Sequence, residues 1–198
     1  MTARTNTTDG FTLLEVMVSI AIGMVVLAAV TTTFMSQTKF YNAQEQINEM
    51  EQNARGAMDI ITRELKMAGY RPTGMTLTGV TYDATQLQIQ ADVNGDGLLT
   101  PVDTEPNEIV IYAFDSTNTQ ITRKDGSNAA EVLANNITDF TFSYLDAGGA
   151  STSTSANIRQ VSISITARTA KPDPNYTSNN GYRTYTVTAT ITPMNLAL

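Results

Sequence analysis

Apolar and polar positions divide this chain into three regimes. Residues 1–9 are polar, and Gly10 follows them. From Phe11 to about Met35 the chain is almost uniformly apolar, opening with Phe11-Thr12-Leu13-Leu14-Glu15-Val16-Met17-Val18-Ser19-Ile20. That run is about 25 residues, against the ~20 that a helix needs to cross a bilayer. It has little one-sided character, so it reads as a membrane helix rather than the core helix of a small domain. An amphipathic pattern then takes over without a break. Ile47, Met50, Ala54, Ala57, Met58, Ile61, Leu65 and Ala68 recur at spacings of three and four, with Glu45, Glu49, Glu51, Arg55, Asp59, Arg63 and Lys66 between them. Glu51 with Arg55, and Asp59 with Arg63, are favourable i,i+4 pairs. Gly69 reads as the residue that ends the helix, with Pro72 just beyond. One helix is therefore predicted from Phe11 to about Ala68. No proline interrupts it, and Gly23 and Thr31-Thr32-Thr33 are its softest points.

After Tyr70 the period changes to two. Leu87, Ile89 and Ala91 alternate with glutamines, Glu108 to Phe114 reads as a buried strand, and Gln120 to Arg123 as a short one. Ile137 to Tyr144 places Phe140, Phe142 and Tyr144 on one face, which reads as core. Arg159 to Arg168 does the same for Val161, Ile163 and Ile165, with Ser162 and Ser164 opposite. Tyr185, Val187, Ala189 and Ile191 form the last such face. Asp125-Gly126, Asp146 to Gly149 and Lys171 to Gly181 are the turns between them, and Ser151 to Ser155 is a low-complexity tip. A helix followed by consecutive strands predicts an α+β fold, with a long amino-terminal helix packed on a carboxy-terminal antiparallel sheet.

Composition narrows the function. With 41% hydrophobic and 16% charged residues, a core is possible and a disordered chain is excluded. The net charge of −7 and a pI near 4.5 leave no basic patch for nucleic acid. The pair Arg123-Lys124 reads as a solvated hairpin end. Cysteine and histidine are both absent. That removes Ser-His and Cys-His nucleophile systems and the usual zinc ligands, and it leaves the redox compartment unread.

Glu15 is the anomaly of the apolar run. A carboxylate in a bilayer costs about 2.5–3.5 kcal/mol at the centre and less near an end, so it calls for a partner. A secretory signal peptide does not account for the segment. The apolar run is too long, and the cleavage-like glycine precedes it rather than follows it. Arg4 and the starting amine favour an inside amino terminus, with Asp9 offsetting part of that bias.

Gly10-Phe11-Thr12-Leu13-Leu14-Glu15 resembles the signal of type IV prepilins. The resemblance implies cleavage between Gly10 and Phe11 by prepilin peptidase, then methylation of the new Phe11 amine. It also implies that Glu15 pairs with the Phe11 amine of a neighbouring subunit during assembly. An ammonium beside a carboxylate in a low-dielectric setting offsets the desolvation of both. The stretch from Glu51 through Tyr70 is similar to PilW-type minor pilins and to the J-type minor pseudopilins of type II secretion. The fold implied is the type IV pilin fold. Its parts here are a leader at 1–10, a transmembrane and polymerisation helix at 11–35, the amphipathic half of that helix at 36–70, and a β-rich domain at 71–198.

A second motif lies within the β-rich part. Asp92-Val93-Asn94-Gly95-Asp96-Gly97-Leu98-Leu99-Thr100-Pro101-Val102-Asp103 matches an EF-hand loop at positions one, three, five and six, and resembles the dockerin variety. Calcium takes six to eight oxygens, and the glycine after the third acidic position permits the sharp turn. Asp92, Asn94 and Asp96 would supply side-chain oxygens. Leu98 would supply its carbonyl, Thr100 a hydroxyl or bridging water, and Asp103 the closing carboxylate. Thr100 and Pro101 also read as the N-cap and first residue of a short exit turn. Calcium is the expected occupant; because the flanks read as strands, a polar hairpin tip is the alternative reading of the same residues.

The expected function is a minor pilin that enters a type IV pilus and helps to start its assembly. The expected partners are prepilin peptidase, other major and minor pilins, and the inner membrane, with no nucleic acid. The β-rich domain is expected in the periplasm first and at the cell surface after assembly. A minor pseudopilin of type II secretion and a tip-displayed, calcium-dependent adhesin are the other readings. An enzyme is not expected, because Asp92, Asp96 and Asp103 are spaced as metal ligands rather than as an acid–base pair.

Overall fold

The computed structural model describes residues 10–72, 74, 76–99 and 108–196. Helix α1 spans Leu13–Met67. Among the described residues eight strands follow: β1 Val80–Thr81, β2 Gln86–Gln90, β3 Ile109–Asp115, β4 Gln120–Asp125, β5 Glu131–Asn135, β6 Ile137–Leu145, β7 Gln160–Arg168 and β8 Thr184–Ile191.

From Leu13 to Asn42 the side chains of α1 stand exposed, among them Leu13, Val16, Val25, Leu27 and Phe34. The Thr31-Thr32-Thr33 stretch stays helical. Thr31 and Thr33 donate to the carbonyls of Leu27 and Ala29 four residues back, at 2.8 and 2.9 Å, and Thr32 does the same to Ala28. Such back-bonding gives each hydroxyl an acceptor inside its own helix, which lipid could not supply.

From Gln46 onward the helix has a buried face. Met50, Ala54, Ala57, Met58, Ile61, Leu65 and Ala68 are buried, and Ile47 partly so. They join one core with Leu87, Val110, Tyr112 and Ile121, and with Ile137, Phe140, Tyr144, Val161, Ile163 and Ile165. The two expected surface pairs form, Glu51 with Arg55 at 3.1 Å and Asp59 with Arg63 at 2.7 Å. After Met67 the chain turns through Gly69 at φ +78°, whose N–H donates to the Gln90 carbonyl at 2.9 Å. Gly79, at φ +77°, packs against it, and a Cβ on Gly79 would meet the Gly69 nitrogen at 2.8 Å. Both positions need glycine for conformation, and Gly79 also for space.

The strands form two antiparallel sheets rather than one. The first has the order β1-β2-β3-β4-β5 and the second β6-β7-β8. The division falls at Asn136, whose φ of +58° redirects the chain between β5 and β6. Left-handed backbone of this kind favours Asn among non-glycine residues. Strands β1 and β5 have no alternating apolar signature, and only the ladder reveals them. Phe140 and Tyr144 are core, as their face predicts, while Phe142 packs against the core half-buried.

Arg123 corrects the expectation of a solvated hairpin end. Its guanidinium donates from Nη2 and Nε to Glu64 Oε1 of α1, at 2.8 and 3.0 Å, and both side chains are about three-quarters buried. The phenol of fully buried Tyr112 donates to the other oxygen of Glu64. One helix carboxylate thus joins β3 and β4 to α1. Burial, reinforced by this bond, pushes the Tyr112 phenol well above its ordinary value. Tyr144 donates to the carbonyls of Asp83 and Gln86 at 3.1 and 3.3 Å, and burial pushes it up to about 12.

Two outcomes follow for stability. Arg123→Ala leaves a largely buried Glu64 without its cation, so chemical denaturation should show a loss of about 1–3 kcal/mol, scaled down from a fully buried pair. Glu64→Gln paired with Arg123→Met should recover part of it. The raised phenols stabilise the fold fully below the ordinary tyrosine value near 10, and that contribution is lost as pH rises toward and through 12. Tyrosinate absorbance should therefore show two of the eight tyrosines ionising only as the fold is lost. Smooth ionisation of all eight in folded protein would contradict the burial of Tyr112 and Tyr144.

Candidate functional site

The amino-terminal site begins where α1 begins. Gly10 and Phe11 are exposed, Phe11 by 88%. A Cβ on Gly10 would meet nothing within 4 Å, so the fold makes no steric demand for glycine there. Thr12 immediately precedes the helix and forms a reciprocal capping box with Glu15. Glu15 N donates to Thr12 Oγ1 at 3.3 Å, and Thr12 N donates to Glu15 Oε2 at 2.9 Å. The Thr12 hydroxyl also lies 3.0 Å from that oxygen. Two backbone N–H groups that no helical carbonyl can reach are thereby satisfied.

Reading Glu15 only as the partner of a neighbour's amine missed this local role. The Thr-x-x-Glu signature was present in the sequence. Both bonds from Thr12 fall on Oε2, so the carboxylate keeps acceptor capacity for a further donor. Helix α1 is long and apolar enough to cross a membrane.

The second candidate is the connection between β2 and β3. The ladder that pairs Gln90 with Ile109 continues one step, with Ala91 N donating to the Glu108 carbonyl at 2.9 Å. Asp92 N donates to the Tyr70 carbonyl at 2.8 Å, which ties the loop to the residues just past α1. Asp92 is fully buried, and its carboxylate accepts from Gly95 N at 2.8 Å and Gly97 N at 3.2 Å. Asn94 Oδ1 accepts from Asp96 N at 2.9 Å, and Asp96 Oδ1 from Leu98 N at 2.7 Å. Gly95 and Gly97 sit at φ +78° and +79°, so the turn uses the conformation that the motif's glycines permit.

Carboxylate oxygens of Asp92, Asp96 and Glu108 lie within 4.8 Å of one another. Oxygens around one calcium at 2.3–2.6 Å are at most about 5 Å apart, so the spread fits. Leu98 follows in the same turn, while Thr100 and Asp103, with the exit turn expected there, lie outside the described residues. Glu108 was absent from the sequence reading, which saw it only as the first residue of a buried strand. A carboxylate opening an apolar run was the signal. Ladder pairing, not linear spacing, brings it beside Asp92.

Comparison with known proteins accords with this geometry. Residues 6–31 match the profile of the prokaryotic N-terminal methylation motif. Residues 43–192 match that of prepilin peptidase-dependent protein B. No curated protein matches the chain. Among solved structures, a type IV-like pilin from Thermus thermophilus is similar at 13% identity, with a TM-score of 0.44 over 71% of this chain and 94% of that one. The methylation motif implies processing by prepilin peptidase, and the apolar helix accords with anchoring in the inner membrane before assembly into a pilus-like fibre. Matched over residues 43–192, more than half of its length, the chain belongs to the prepilin peptidase-dependent protein B family, which is one of pilin-like structural proteins and not of enzymes.

Proposed function

We propose that this protein is a PilW-type minor pilin that enters a type IV pilus and helps to initiate its assembly. The observation that carries this reading is the start of α1. An exposed Gly10-Phe11 bond, with no steric need for glycine, stands beside a Glu15 carboxylate held in place by its own cap. Cleavage after Gly10 creates an amine at Phe11, and its methylation keeps the charge. Glu15 then has two tasks. It caps the helix through Oε2, and it accepts the Phe11 ammonium of a neighbouring subunit. Other major and minor pilins are the partners, through the apolar part of α1. The same features serve a minor pseudopilin of type II secretion, and fibre content separates the two.

The loop at 92–108 supports a calcium site as a second element of this reading. Asp92, Asp96 and Glu108 are its carboxylate donors, because their oxygens converge within 4.8 Å. Asn94, Leu98, Thr100 and Asp103 are further donors. Bound calcium would neutralise the converging carboxylates and order the connection between β2 and β3. A calcium-dependent adhesive role at a fibre tip is the use such a loop would serve if the protein ends the fibre.

Intact mass of the chain made with and without prepilin peptidase tests the first element. The expected product begins at methylated Phe11 only when the peptidase is present. Glu15→Gln retains a capping side chain but removes the charge, so the chain should be processed normally and enter fibres poorly. Glu15→Gln entering fibres at the wild-type level would sink the pairing role. For calcium, a dissociation constant of about 10⁻⁴–10⁻³ M gives about 0.4–1.4 kcal/mol of stabilisation at 1 mM ion. The unfolding midpoint should rise by roughly 1–6 °C. Asp92→Asn and Glu108→Gln should each abolish that rise, and an unchanged midpoint in the wild type would remove the site.

A further inference from the structure

A cleft of about 480 Å³ opens beside β6, an edge strand of the second sheet. Its volume is within the ~300–1,000 Å³ of small-ligand sites. Part of the lining is aromatic, from Tyr82, Phe142 and the buried Tyr144. The ring centroids of Tyr82 and Tyr144 are 5.3 Å apart, and those of Phe142 and Tyr144 are 5.8 Å apart, with the planes inclined by 58° and 67°. Rings at such spacings are in contact, so the three make one continuous wall. Phe142 shares the core face of β6 yet stays half-buried, and it gives part of its ring to this wall. Tyr82 is 41% exposed.

The rest of the lining is polar. Ser151, Thr152 and Ser153, the start of the low-complexity tip, contribute hydroxyls. The tip is tied down at both ends. Thr152 N donates to the Tyr144 carbonyl at 3.0 Å, and Tyr82 N donates to Ser155 Oγ at 2.9 Å. The Tyr144 hydroxyl, through the Asp83 and Gln86 carbonyls, fixes the turn that carries Asp83. Asp83 also lines the cleft. It accepts from Thr85 N, Thr85 Oγ1 and Gln86 N at 2.7, 2.8 and 3.2 Å, always on Oδ1, so Oδ2 keeps acceptor capacity. The bond from the Thr85 N–H holds its carboxyl below the ordinary carboxylate value, which keeps it ionised at neutral pH. Among the described residues, the lining holds no lysine or arginine.

We infer that this cleft binds a neutral saccharide, with its C–H face on the Tyr82 and Phe142 rings and its hydroxyls on Asp83 and the Ser151–Ser153 rim. The inference goes beyond the fibre role and uses none of the calcium-loop residues. A sugar ring carries an apolar face and a rim of hydroxyls, and the cleft offers a partner for each. Asp83 Oδ2 accepts from sugar hydroxyls, while the serine and threonine hydroxyls both donate and accept. Other ligand classes fit less well. An anion would meet the Asp83 carboxylate with no cation to offset it. An ammonium ligand gains from ring faces that surround it, but rings in mutual contact leave no space between them for one. A wholly apolar ligand would cover Asp83 and the rim hydroxyls without replacing their bonds to water.

The test is saturation-transfer NMR on the full chain, solubilised in a detergent without a sugar headgroup. The probes are maltose, lactose and N,N′-diacetylchitobiose at about 10 mM, with N-acetylneuraminic acid as the anionic comparison. At least one neutral disaccharide should receive saturation on its ring C–H protons, and the anionic sugar should receive none. Tyr82→Ala removes the exposed ring. Asp83→Asn keeps the Oδ1 acceptor of the turn and replaces Oδ2 with a donor. Each should reduce the transfer at least about fivefold, with Tyr176→Ala, outside the cleft, near wild type. The variants should unfold within about 3 °C of wild type, and Asp83→Asn decides the matter if Tyr82→Ala does not fold. No transfer to any of the three neutral sugars, or transfer that survives in Asp83→Asn, overturns the site. Equal transfer to N-acetylneuraminic acid overturns the neutral class.

Discussion

The structure depends on one helix changing its environment without changing its backbone. Up to Tyr41 the apolar side chains of α1 surround the axis and stand exposed, and beyond Glu45 they gather on one face. The buried stripe from Met50 to Ala68 organises everything downstream, because both sheets contribute side chains to the core that it shares. Non-directional packing of this kind does not fix which strand lies where. The Glu64 carboxylate adds direction. It takes Arg123 from β4 and Tyr112 from β3, so the first sheet has a defined place on the helix.

Much of this was legible in sequence because it depends on local periodicity. The 3.6-residue recurrence located the buried stripe, and the alternation of Val161, Ile163 and Ile165 located β7. Gly69 and Pro72 located the end of the helix. What escaped depends on contacts distant in sequence. The split into two sheets turns on the single left-handed residue Asn136. Glu131 to Asn135 has a burial pattern too polar to announce a strand. Arg123 looked like a surface charge because Glu64 is far away along the chain. The capping box is the exception, since Thr12 and Glu15 are neighbours and a functional explanation of Glu15 obscured a structural one.

The candidate sites divide in the same way. Gly10, Phe11 and Glu15 lie close together within the matched methylation motif, so a sequence carries that candidate site almost whole. In the β2–β3 loop, Asp92, Asn94 and Asp96 follow a linear spacing, and the turn bonds to Gly95, Gly97 and Leu98 follow from it. Glu108 reaches Asp92 only because the ladder brings the two ends of the loop together. A motif centred on spacing finds the first kind of donor and misses the second.

The buried stripe of α1 also has a mechanical meaning. From Met50 to Ala68 it runs about 27 Å along the helix axis at ~1.5 Å per residue. A pull along that axis would strain these contacts together, in shear, instead of peeling them one by one. Glu64, Arg123 and Tyr112 sit near the carboxy-terminal end of the stripe, so the directional bonds would resist slip there. A domain without disulfides could thus bear axial tension that a single exposed contact could not.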